Sequence, residues 1–114
     1  MAWTLDDALE GVTILERNDE WGTYEFLVGQ LQTKVQVHLL RSPTTEQTRF
    51  VRSHDIKTPT MIDAYHSSRL WWDYPAYALR NAVSGITQYY DEAIRAGHVP
   101  QESWFRRNDS FSEF

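Results

Sequence analysis

The sequence predicts an α+β fold: an antiparallel sheet of about four strands, packed by one long C-terminal helix and a shorter helical segment. Residues 74–97 place Leu79, Val83, Ile86, Tyr90 and Ala93 at steps of three and four, the period of one helix face. Residues 20–40 instead repeat apolar side chains at every second position on either side of Gly29-Gln30, the pattern of a hairpin. The apolar stripe of such a helix has to be buried, and the strands that precede it are the available cover.

Taken in order, Thr4-Leu5-Asp6-Asp7 reads as a capped helical turn with two carboxylates in its first turn, ending by Gly11. Residues 12–17 alternate weakly as a strand, and Asn18-Asp19-Glu20 supplies a turn. In the hairpin, a two-residue turn at Gly29-Gln30 sets Phe26 opposite Thr33, Tyr24 opposite Val35, Glu25 opposite Lys34 and Trp21 opposite His38. Tyr24, Phe26, Val28, Leu31, Val35, Val37 and Leu39 then share one face, where the long helix packs.

Residues 48–54 form a further strand with two possible sidednesses. Either Phe50, Arg52 and His54 face the core, or Val51 does, with Arg49 and Ser53 beside it. Thr58-Pro59 starts either a short helix through about Ser67, with Met61, Ile62 and Tyr65 inward, or a structured loop. Asp73 caps the long helix, Pro75 suits its first turn, and Gly97 with Pro100 ends it. Gly85 inside the helix costs about 1 kcal/mol relative to Ala, which points to a close backbone approach. Trp104 and Phe105 fold back onto the domain. Residues 1–105 are thus expected as a single domain, and 106–114 as a flexible C-terminal tail.

Charge divides the chain. The formal net charge is −5, yet residues 1–30 hold seven carboxylates and one Arg, and residues 34–80 hold seven Lys/Arg against four carboxylates. Long duplex DNA is disfavoured by that balance, while a local basic surface suits a small anion. The absence of cysteine excludes disulfides, thiolate catalysis and Cys-based zinc sites. No apolar run approaches the roughly 20 residues of a membrane span, and the N-terminus is acidic, so a cytoplasmic location is expected, in the host cytosol if the chain is phage-encoded.

Catalytic patterns are missing: no GxSxG, no P-loop, no dinucleotide fingerprint, and no metal spacing among His38, His54, His66 and His98. Asp63 and His66 lie three apart but lack a third ligand. Ser53-His54-Asp55 has the residue types of a hydrolase triad, but neighbours on a strand point to opposite faces and should not meet. No cofactor, metal or catalytic residue is therefore expected. The most unusual composition is Arg69-Leu70-Trp71-Trp72-Asp73-Tyr74-Pro75, immediately before a helix start whose free N–H groups favour anions. Stacking on the aromatic rings with charge from Arg69 or Arg80 suits a nucleotide-like ligand. Equally, Trp71 and Trp72 can simply plug the core, and an Asp at the helix cap repels phosphate. Arg52, His54, Arg69, Trp72, Tyr74 and Arg80 are the candidate ligand-binding residues. Tyr77, Asn81, Ser84, Gln88 and Tyr89 form a polar-aromatic helix stripe that is either solvated or a contact between copies in a homo-oligomer.

The C-terminal segment, through Tyr77-Ala78-Leu79-Arg80, Gly85, Tyr89-Tyr90, Gly97-His98, Pro100 and Ser103-Trp104, resembles small uncharacterised proteins of phages infecting high-GC actinobacteria. That resemblance covers about a quarter of the chain and implies no activity. The order of elements is loosely similar to anti-Thoeris sponges, phage proteins that sequester a cyclic ADP-ribose signal, though no binding residue carries over. Together these readings lead to a non-enzymatic counter-defence protein that captures a nucleotide-derived signal or host factor. The alternative is a protein–protein inhibitor or assembly subunit acting through the acidic N-terminal region and the exposed helix face. A small hydrolase or lyase using His54 is third.

Overall fold

A computed structural model of the chain describes residues 4–62, 71–108 and 111. It begins with the one-turn helix α1 (Leu5–Ala8), where Thr4 and Asp7 satisfy each other's backbone N–H in a capping box. Strands β1 (Thr13–Asn18), β2 (Thr23–Leu27), β3 (Val35–Arg41) and β4 (Thr48–Arg52) follow as an antiparallel sheet in that spatial order. After a bend at Ser53, β5 (His54–Ile56) pairs with the late strand β6 (Phe105–Arg107) in a second, two-stranded sheet. The long helix α2 (Pro75–Arg95) lies across β3, β4 and β5 and against α1. The α+β architecture is the one the sequence predicts.

The helix stripe does what its period requires. Leu79, Val83, Ile86, Tyr90 and Ala93 are all buried, in one cluster with Tyr24, Phe26, Val28, Leu31, Val35 and Val37. Fully buried side chains such as Leu79 and Ile86 each contribute roughly 1.5–3 kcal/mol of transfer free energy. At the C-terminal end Gly97 takes φ +91°, and the amides of Gly97 and His98 return to the carbonyls of Ile94 and Ala93, both at 3.0 Å. That is the paired-bond stop that glycine after a helix makes possible. At the other end the cap position is Tyr74, without a side-chain cap; Asp73 is not the cap, because its carboxylate accepts from the Gln47 amide at 3.4 Å.

The hairpin register differs from the expected one by two residues. Phe26 stands opposite Val35, Glu25 opposite Gln36, and Thr23 opposite His38. An even shift leaves every side chain on its face, so the core set survives while the cross-strand partners change. The cause lies far along the chain. The turn at Gly29-Gln30 does form, with the Leu31 N–H donating to the Val28 carbonyl at 3.0 Å, but residues 31–34 after it stay out of the ladder, held by two distant side chains. The Tyr90 hydroxyl accepts the Gln30 N–H at 3.3 Å, beside Gly29 at φ +54°. The Glu102 carboxylate accepts the N–H groups of Gln32 and Thr33, each at 2.9 Å, and the Thr33 hydroxyl at 2.6 Å.

On β4 the sidedness resolves toward Phe50. Leu39 pairs with Phe50 and Val37 with Arg52, so Thr48, Phe50 and Arg52 face the helix. Thr58 to Ile62 make a turn, with Ile62 fully exposed rather than inward, because no helix there carries it toward the core. The remainder of the shorter helix considered through Ser67, with Tyr65, Asp63 and His66, lies outside the described residues. Trp104 and Phe105 are buried as expected, after a 3₁₀ turn at Glu102–Trp104. Arg106 and Arg107, assigned by sequence to the tail, stand opposite Asp55 and His54 in β6. Beyond them, Asn108 bonds the carbonyls of Ser53 and Arg52, and the buried Phe111 ring lies 4.9 Å from the His38 ring.

Candidate functional site

The six residues selected from sequence occupy different environments. Arg52 is buried between β4 and α2. Its Nη1 donates to the Ala82 carbonyl at 2.8 Å and its Nη2 to the Asp55 carboxylate at 2.9 Å, while its guanidinium lies over the Phe50 ring. Trp72 is buried too, bonded through its backbone to Thr48, with its ring 5.3 Å from Phe50. Phe50 therefore links Arg52 and Trp72 in one packed row. Tyr74 is 60% exposed at the helix cap, edge-on to Tyr77. Arg80 is exposed on α2. His54 sits half-buried on β5, and Arg69 lies outside the described residues.

Ser53 and His54 do meet, against the expectation for neighbours on a strand. Ser53 occupies the bend between β4 and β5, where strand alternation is broken, and its Oγ is 2.8 Å from His54 Nδ1. The same oxygen accepts the Gln36 N–H at 2.8 Å, which leaves the hydroxyl proton for the imidazole. Burial first, then repulsion from Arg107, holds the His54 pKa below its ordinary value, with Asp55 acting in the opposite sense. The triad is incomplete, since Asp55 is turned to Arg52 and Ser53 has no exposed surface for a substrate to reach. Among the described residues there is also no cluster of three metal-ligating side chains.

The acidic N-terminal third supplies the β1–β2 ribbon at one side of the four-stranded sheet. Strand β1 is the edge of the sheet and is exposed along its whole length. Glu16 stands directly opposite Glu25, a like-charge pair eased by the Gln36 amide at 3.0 Å from Glu25. On the inner side Arg17 bonds both Asp6 and Asp19, and the Tyr24 hydroxyl donates to Asp19 at 3.0 Å. Arg17, and secondarily Tyr24, keep the Asp19 carboxyl below the usual carboxylate range against the effect of burial. Burial and that same bond push the Tyr24 phenol up.

The turn that closes the ribbon is fixed from beneath. Asn18 receives the Gly22 N–H on its carbonyl at 2.8 Å and the Trp21 N–H on its side-chain oxygen at 3.0 Å. The Trp21 side chain is left 76% exposed. Two depressions open on this ribbon. A broad polar one of about 450 Å³ lies on the outer face, among Glu16, Thr23, Glu25, Gln36 and His38. A smaller one of about 150 Å³ separates the Trp21 turn from the start of α2.

The chain matches no protein-family model, no curated protein and no solved structure. Its function is therefore argued from its surface. Sequence reasoning placed Trp21 only as a partner of His38 and passed over it as a surface feature. The signal that marks the ribbon was nonetheless present, in the seven carboxylates of the first thirty residues.

Proposed function

We propose that the chain is a non-enzymatic protein-binding module that engages a basic surface of another protein through its β1–β2 ribbon. The observation that carries this is the combination on one exposed edge of Ile14, Leu15 and Trp21 with the carboxylates of Glu16, Glu20 and Glu25. Exposed apolar groups set among charges of one sign favour a partner of opposite charge, with an aromatic residue as anchor. The exposed face of α2 is second to the ribbon: its stripe is mostly half-buried, and the Asn81 amide is turned back onto the Tyr77 carbonyl. The likeness of the C-terminal segment to actinobacteriophage proteins suits a chain whose task is to occupy a host protein.

Less supports capture of a nucleotide-derived signal. Arg52 and Trp72 are engaged in packing, and the groove at the helix start is smaller than the roughly 300 Å³ at which small-molecule pockets begin. The test is affinity capture from actinobacterial lysate with the wild-type chain and with a Glu16→Lys, Glu20→Lys, Glu25→Lys variant whose melting temperature is unchanged. The wild type should retain one protein in stoichiometric amount, and the variant should lose it. Retention by both chains, together with a raised melting temperature in a panel of cyclic nucleotides and ADP-ribose derivatives, would reverse the preference.

A further inference from the structure

We infer that the groove between the Trp21 turn and the start of α2 seats an arginine side chain of the partner protein, an assignment that rests on the ribbon being the binding edge. The groove holds about 150 Å³, room for one side chain rather than a ligand of nucleotide size. Leu39 and Pro75 form apolar walls, suited to the aliphatic stem of a long cationic residue. Pro75 has no N–H, so the first position of the helix offers no donor to a competing anion.

The polar features suit the head group. Trp21 presents an exposed indole on a turn already fixed by Asn18, so stacking requires little reordering. Glu20 lies on the same side and makes no hydrogen bond or ion pair among the described residues, whereas Asp19 is held by Arg17 and Tyr24. Thr48 also lines the groove, with its hydroxyl oxygen buried beneath the surface. Arginine fits better than lysine because its planar, multiply donating head can stack on the indole while bonding the carboxylate. Arg41, which also lines the groove, and the positive end of α2 repel such a group, so the Trp21 ring and the Glu20 carboxylate must outweigh them.

That opposition gives the test its sign. The full-length ¹⁵N-labelled chain is titrated with N-acetyl-arginine amide, with the leucine and lysine amides and inorganic phosphate as comparison probes. The Trp21 indole and Thr48 amide signals should shift saturably with arginine and several-fold more weakly with lysine. Trp21→Ala should abolish the effect, Trp21→Phe should retain part of it, Glu20→Gln should weaken it several-fold, and Arg41→Ala should strengthen it about twofold or more. Absence of saturation, equal response to the leucine amide, or phosphate binding that is lost on Arg41→Ala would each overturn the assignment. The ribbon proposal fails separately: it falls if the charge-reversed chain still captures the partner. The groove assignment alone falls if Trp21→Ala captures as well as wild type while charge reversal does not.

Discussion

Arg52 shows how a polar side chain on an inner face can serve the fold instead of a ligand. Its guanidinium is 5% exposed and joins a helix carbonyl to the Asp55 carboxylate, which is itself 15% exposed. Burying such a pair yields little net stability, but removing one member takes from the other the partner that offsets its buried charge. Arg52→Ala should therefore cost about 3–5 kcal/mol. Arg52→Met combined with Asp55→Asn should cost clearly less than Arg52→Met alone, since no charge is then stranded. Urea unfolding of these variants, with Asp55→Asn alone to complete the cycle, decides this, and strictly additive losses would mean that the ion pair carries no coupling. The sequence revealed that a polar residue had to sit at the core margin on β4. It did not reveal the partner, because the Ala82 carbonyl is thirty residues away and one main-chain acceptor looks like any other in sequence.

Among the elements, those with a strong period of their own were legible and those shaped by distant contacts were not. Helix α2 follows from its stripe, and the faces of β2 and β3 follow from alternation. The turn at Gly29-Gln30 follows too, but the stretch after it does not, since its form depends on Tyr90 and Glu102, which reach the connection across more than half the chain. A Cβ at Gly29 would run into the Tyr90 hydroxyl, so loop and helix had to be specified together. The Thr33 hydroxyl, then the Gln32 N–H, hold the Glu102 carboxyl below its usual value. Because that carboxylate is exposed, its contribution is local ordering more than global stability. Glu102→Gln should speed hydrogen exchange at the Gln32 and Thr33 amides at least several-fold while leaving the β3 and α2 amides protected. Unchanged exchange at those two amides would show that the loop holds its shape without the carboxylate.

For the molecule as a whole, charge segregation was legible from composition, but which charges share one exposed edge required the sheet order, which puts β1 at the rim of the sheet. The position of β6 was not legible, as three residues lack a readable period; their pairing with β5 is what half-buries His54. This has a consequence for stability. Burial and Arg107 keep His54 neutral in the folded chain at pH values where the unfolded chain, with its histidine near 6.5, has begun to take up a proton. The resulting stability is fully present above pH 6.5, declines as pH falls below it, and levels off below the folded value. Asp19 is a depressed carboxyl, so its contribution persists until about pH 4 and is lost only as pH falls through its lower folded value. Stability should thus fall in two separate stages on acidification, and His54→Gln should remove the first and spare the second. Urea midpoints for both chains at half-unit pH intervals make the comparison. A first stage of equal size in the variant would assign it to another group, and a wild-type midpoint that stays flat below 6.5 would mean that His54 takes up its proton as readily folded as unfolded.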